Sequence, residues 1–268
     1  MEIAGYTTAL LIGISLGMIG GGGSILTVPV LVYLMNVDPL SATTYSLFIV
    51  GTSSLAGGIR AYSRNYVDFK AITEFGFPSI VSVFIARHYI LPIIPSHFFY
   101  LGSLEITRDR LLMLLFALLM FVAAFSIIID KSGSRQDDTT RKEWYGKAFQ
   151  LVLSGLLVGL ITGLLGAGGG FLIIPILVLY IKLPMKTAVG TSLMIIAINS
   201  LFGFLFSLKQ PSMDWKMLIL FSVISTAGIF IGNRFAEKIA ENVVKKISGW
   251  FIFSMAVYVV FRELIFAG

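Results

Sequence analysis

Nearly all of this chain consists of apolar runs broken by single charges, glycines or prolines, and only DKSGSRQDDTTRKEWYGK, from Asp130 to Lys147, is hydrophilic over a long stretch. Such a pattern excludes a water-soluble globule. With 57% hydrophobic residues, 13% charged residues and a mean hydropathy of +0.92, there are too few polar side chains to cover one. At about 20 apolar residues per crossing, the runs supply about 8 to 10 membrane spans and leave no room for an extramembrane domain. Five runs precede the hydrophilic stretch, roughly 4–19, 24–36, 40–59, 71–93 and 110–129, and five follow it, roughly 148–166, 170–181, 187–208, 216–235 and 247–266. The organisation expected is a first membrane repeat over 1–130, a cytoplasmic linker over 131–147 and a second membrane repeat over 148–268. The first residues, with Glu2 in place of a basic start and no small-residue cleavage site, read as retained rather than as a signal peptide.

Shifting the chain by 146 residues lays Gly17–Lys70 over Gly163–Lys216 without a gap, and 17 of the 54 positions are identical. The tightest stretch is GMIGGGGSILTVPVLV over GLLGAGGGFLIIPILV. The chain is therefore a duplicated five-segment unit, an arrangement common among secondary transporters, whose sites lie between the halves. Lys and Arg decide how the copies face. With five crossings per half and the linker in the cytoplasm, 14 of these residues lie inside and 6 outside; parallel copies with four crossings each give 11 and 9. The inverted arrangement satisfies the positive-inside rule, with both termini outside. The fold expected is an all-α polytopic membrane protein made of two inverted repeats of about five hydrophobic segments each. A re-entrant hairpin of the first two segments has the same parity as two true crossings.

The second segment of each copy is too short to span. Thirteen residues, Ser24–Asn36, rise about 20 Å against a hydrocarbon core of about 30 Å. Its N-terminus is therefore sunk in the membrane, and there stand Gly20, Gly21, Gly22 and Gly23, followed by Ser24, and in the second copy Gly166, Gly168, Gly169 and Gly170. Glycine lets the chain turn without strain and leaves amides bare at a helix start, where partial positive charge seats an anion. Close packing of helices is the plainer use of such glycines. The third segments add polar groups: Thr43, Thr44, Ser46, Ser53 and Ser54 in one copy, Thr191, Ser192, Asn199 and Ser200 in the other. On the anion-seat reading, Gly22→Leu or Gly169→Leu blocks the amides and leaves a folded protein.

Of the 14 carboxylates only Glu74 lies clearly inside a segment, and a site with so few acids suits an anion rather than a cation. The most embedded basic groups are Arg87 and His88 in FIARHYIL, and Arg234, one position beyond the repeat equivalent of Arg87. They either contact an anion secondarily or snorkel to the headgroups, and snorkelling is the expectation for them. His88 and His97 lack metal-ligand spacing with carboxylates and there is no cysteine, so no metal and no cofactor are expected. The net charge of +6 sits in short loops and forms no nucleic-acid stripe.

On GMIGGGGSILTVPVL and GLLGAGGGFLIIPIL, on the A-x-x-x-S-L stretches Ala42–Leu47 and Ala188–Leu193, and on an arginine late in the fourth segment, the chain resembles the TauE/SafE family of sulfite exporters and sulfonate permeases. The resemblance covers nearly the whole chain. It implies a cell-membrane carrier of small sulfur-containing or organic anions, such as sulfite, sulfonates or sulfoacetate. The partners expected are that substrate and the bilayer, with the oligomeric state left open between a monomer and a homodimer. Two departures stand out: Ala167 replaces the equivalent of Gly21, and Thr43-Thr44-Tyr45-Ser46 faces Val189-Gly190-Thr191-Ser192. They suggest that the second half holds the substrate more directly. A passive anion channel is the alternative, and an intramembrane enzyme lacks a nucleophile with its base.

Overall fold

The computed structural model describes residues 2–95, 97–101, 104–129, 148–179, 181–208, 213–236 and 241–265; the linker expected at 131–147 lies outside them. Apart from connecting turns, the described residues are helical except for one short antiparallel hairpin. In the first half run α1 (Glu2–Ile19), a 3₁₀ turn (Gly22–Leu26), α2 (Thr27–Tyr33), α3 (Pro39–Ser63) and α4 (Phe69–Ile93). The hairpin β1 (His97–Leu101) and β2 (Leu104–Thr107) leads into α5 (Arg108–Ile129). The second half carries α6 (Ala148–Leu165), α7 (Gly170–Leu179), α8 (Met185–Phe206), α9 (Trp215–Ala236) and α10 (Glu241–Ile265). Among the described residues α4, α8 and α9 are long and apolar enough to cross a bilayer. Exposed apolar side chains such as Phe77, Phe125, Phe149 and Trp250 give the helices an outer surface suited to lipid. This is a multi-pass membrane protein.

Local chemistry sets the helix starts. Asp38 caps α3 by accepting the Ser41 amide at 2.8 Å, with Pro39 at the first helical position. Asp68 accepts the Ala71 amide at 3.0 Å to start α4, and its repeat equivalent Asp214 accepts the Met217 amide at 3.0 Å to start α9. The second segments are as short as their sequences imply. Helix α7 has 10 residues, about 15 Å of rise, and α2 has 7 after its 3₁₀ turn.

Helix partners are unchanged when the halves are exchanged: α1 packs on α9 as α6 packs on α4, while α3 packs on α8 and α5 on α10. Glycines allow the approach. A Cβ built on Gly13 of α1 would lie 3.0 Å from the Gly228 Cα of α9, and one on Gly155 of α6 would lie 2.5 Å from the Phe75 carbonyl oxygen of α4.

The central pair, α3 and α8, runs in opposite directions. The Asp68 amide, just past the end of α3, donates to Thr191 Oγ1 near the start of α8 (2.9 Å). Conversely, the Asp214 amide, past the end of α8, donates to Tyr45 Oη near the start of α3 (2.9 Å). These two bonds are repeat equivalents of each other, related by the shift of 146 residues. Because the chain has no native cysteine, Ser63→Cys at the end of α3 and Leu208→Cys after α8 can be labelled cleanly. An impermeant maleimide applied to one face of sealed vesicles is expected to modify only one of the two variants, and labelling of both from the same face would contradict opposed ends.

Candidate functional site

The glycine turns meet in the buried interior, and each is tied down by the opposite half. Ser46 Oγ on α3 donates to the Gly166 carbonyl at 2.8 Å, and Ser192 Oγ on α8 donates to the Gly20 carbonyl at 2.8 Å. A shift of 146 residues converts one bond into the other. Gly20 and Gly166 have φ of +74° and +70°, a region that side-chain-bearing residues rarely adopt. A helix that ends at a buried turn leaves carbonyls without water to bond them, and the serines supply that partner. The turns also touch one another, since a Cβ built on Gly21 would lie 2.5 Å from the Gly170 carbonyl carbon.

The remaining candidates divide by what their protons already do. Ser24 Oγ donates to the Gly21 carbonyl (2.8 Å) and Thr43 Oγ1 to the Leu40 carbonyl (2.7 Å), while Ser192 also reaches the Val189 carbonyl (2.8 Å). Ser53 bonds the Ile49 carbonyl at 2.6 Å, and Thr191 accepts the Asp68 amide as described. Asn199 Nδ2 donates to Ser79 Oγ at 2.7 Å and leaves its Oδ1 without a partner. A hydroxyl that has given its proton to a carbonyl cannot also donate it to an anion, so most of the hydroxyls expected at the site stabilise the fold. Among the described residues the buried hydroxyls without partners are those of Ser54, its repeat equivalent Ser200, Thr27, Thr162, and Ser222 and Ser225 on α9. Thr27 and Thr162 were not singled out by sequence; what marks them is a hydroxyl within a few residues of a glycine run in an otherwise apolar stretch.

The glycines are packed more tightly than an open seat requires. Gly168 and Gly169, with φ of +69° and +70°, abut Val50 and Thr162 respectively, and Gly23 abuts the α1 backbone at Ile12 and Leu16. Gly22 opens the 3₁₀ turn. The expectation that Gly169→Leu leaves the protein folded therefore fails: a side chain there has both a disfavoured φ and no space.

Arg87 overturns the snorkelling expectation. It is 5% exposed, and among the described residues it is the single buried charged side chain. It lies on a π turn, Ala86–Ile90, within α4, a local widening that redirects side chains and recurs at functional sites. Its Nη1 donates to Thr44 Oγ1 at 3.2 Å, while Nε and Nη2 are buried without partners. His88 is exposed and stacks on Phe84 at 5.2 Å, and Arg234 is exposed near the end of α9, so neither joins Arg87. Glu74, near the start of α4, pairs with Lys70 at 3.8 Å. No carboxylate among the described residues is buried.

The family model of the sulfite exporters TauE/SafE matches residues 6–259. The chain belongs to the TauE/SafE family. It is similar to a probable membrane transporter protein of Xylella fastidiosa, 26% identical over 266 residues that cover 94% of this chain and 92% of the relative. A probable membrane transporter of Bacillus subtilis, YdhB, is 25% identical over 88% of this chain and 90% of its own. One from Methanocaldococcus jannaschii is 36% identical over 40% of this chain and 43% of its own. No solved structure matches the chain.

In this TauE/SafE chain the two serine bonds are expected to carry stability in equal measure. Ser46→Ala and Ser192→Ala each leave a buried carbonyl unpaired, so each lowers stability by about 1–3 kcal/mol. Thermal unfolding in detergent reads this out, with Thr73→Ala as the control, its exposed hydroxyl bonding only the Lys70 carbonyl of its own helix (2.9 Å). Serine variants as stable as the control would remove the interlock from the account.

Proposed function

We propose that this chain is a secondary transporter of small anions in the cell membrane, most closely sulfite, sulfonates or related organic sulfur anions, working by alternating access around a site between the two glycine turns. One observation carries the reading: the single buried charge among the described residues is an arginine with two unpartnered nitrogens and no buried carboxylate beside it. A cation carrier needs the reverse, a buried acid to replace the hydration of its cargo. The family's description as sulfite exporters and the relatives' description as probable membrane transporters support the substrate class and the mode of action. A carrier role rather than an enzymatic one agrees with the same descriptions.

Alternating access draws support from the exchange-related packing. The central pair α3 and α8 joins two copies of one unit, so rocking about the contact between Gly21 and Gly170 would convert one half's arrangement into that of the other. The positive-inside count supports inverted halves with both termini outside and the linker 131–147 in the cytoplasm.

A ligand that binds only the folded state raises stability with occupancy, by about 2.7 kcal/mol at a hundred times its dissociation constant. Thermal unfolding of the purified protein across a panel of small oxyanions is expected to show stabilisation by sulfite or sulfonates and none by sodium or potassium ions supplied with an inert anion. Stabilisation by cations alone, or by no anion at millimolar concentration, would overturn the reading.

A further inference from the structure

We propose that the Nε–Nη2 edge of Arg87 is a two-oxygen clamp at the turn between α6 and α7, so that each chain holds one oxyanion and rejects single-atom anions. The proposal rests on the anion-transporter reading above and deepens it. A guanidinium is a planar fork, and Nε and Nη2 form the edge whose two N–H groups point in parallel, matching two oxygens on one sulfur or carbon centre. The third nitrogen, Nη1, is engaged by Thr44, which fixes the plane. Thr44 is itself held by the Leu40 carbonyl (3.5 Å). What stays free is therefore the side-on fork rather than a single N–H.

Two packing relations place the chain neighbours of Arg87 and of its partner Thr44 against α6 and the second-half turn, and from these the position of the fork is inferred. Ala86, next to Arg87, lies against α6, where a Cβ built on Gly163 would be 2.7 Å from the Ala86 Cβ. Thr43, next to Thr44, lies against the turn itself, where a Cβ built on Gly166 would be 2.7 Å from the Thr43 Cα. Thr162, whose buried hydroxyl has no partner, abuts Gly169 in the same turn and adds a neutral donor. Beyond the turn stands the N-terminus of the ten-residue α7.

The first-half turn has none of these groups. Exchange of the halves carries Arg87 to Asn233, Thr44 to Gly190 and Thr162 to Leu16. One oxyanion per chain follows, with the charge supplied by the first half and the glycine turn by the second.

The test uses the full-length protein in detergent with methanesulfonate, sulfite and chloride as probes, read by thermal shift and titration calorimetry. Wild type is expected to bind methanesulfonate and sulfite at least about tenfold more tightly than chloride, with one site per chain. Arg87→Lys keeps a charge but loses the parallel pair, so it weakens both oxyanions about ten- to a hundredfold and narrows the preference over chloride. Arg87→Met binds none of the probes and, with the unpaired buried charge gone, unfolds at a higher temperature than anion-free wild type; a merely structural arginine gives a lower one. Thr44→Val releases Nη1 and weakens oxyanions about two- to tenfold without changing chloride, which keeps the idea testable should a position-87 variant not fold. Oxyanion affinity unchanged in Arg87→Lys or Thr44→Val overturns the clamp while the transporter reading stands; wild type that binds no anion overturns both.

Discussion

A helix that stops in a buried interior must find protein partners for its last carbonyls, and in this chain each half finds them in the other. The serine–carbonyl bonds Ser46–Gly166 and Ser192–Gly20 satisfy that constraint twice by one rule. Much else follows from them. The turns must be glycine because φ is positive at Gly20 and Gly166 and because the facing third helix, at Val189 and Thr43 respectively, lies against their backbone. The third helices must cross antiparallel so that each serine reaches the other half's turn. The bonds of Asp68 to Thr191 and of Asp214 to Tyr45 then clamp the ends of that crossing.

On this exchange-symmetric frame the polar content is asymmetric, and the asymmetry is where binding chemistry can reside. A buried arginine without an acid is expensive to keep in a membrane protein unless something compensates it. Arg87 occurs once, on a π turn absent from the equivalent stretch of α9, and its neighbour Thr44 has glycine as its equivalent. The duplicated elements hold the two halves together, while the unduplicated ones leave one buried positive charge with no buried acid beside it among the described residues.

Much of the frame was legible in the sequence because it is written in local patterns. The ten apolar runs coincide with ten helices among the described residues to within a few residues at most ends, and the glycine runs with short second segments mark the broken helices. The repeat register of 146 was also readable, and it relates the cross-half bonds pair by pair. What escaped was set by tertiary contact. Nothing local in Ser46 or Thr191 says that one donates to a distant carbonyl while the other accepts an amide. FIARHYIL reads as a snorkelling arginine near a helix end, because the π turn that draws Arg87 inward has no composition of its own. The hairpin of His97–Leu101 with Leu104–Thr107 was hidden in the same way, between two apolar runs.

The account's central claim is that a small oxyanion is carried through a site between the two halves. Counterflow tests it most directly: proteoliposomes loaded with unlabelled sulfite or sulfonate, then given a trace of labelled anion outside. The account predicts a transient accumulation of label above equilibrium that saturates with external concentration. Uptake that only approaches equilibrium, rising in proportion to concentration with no overshoot, would contradict a carrier.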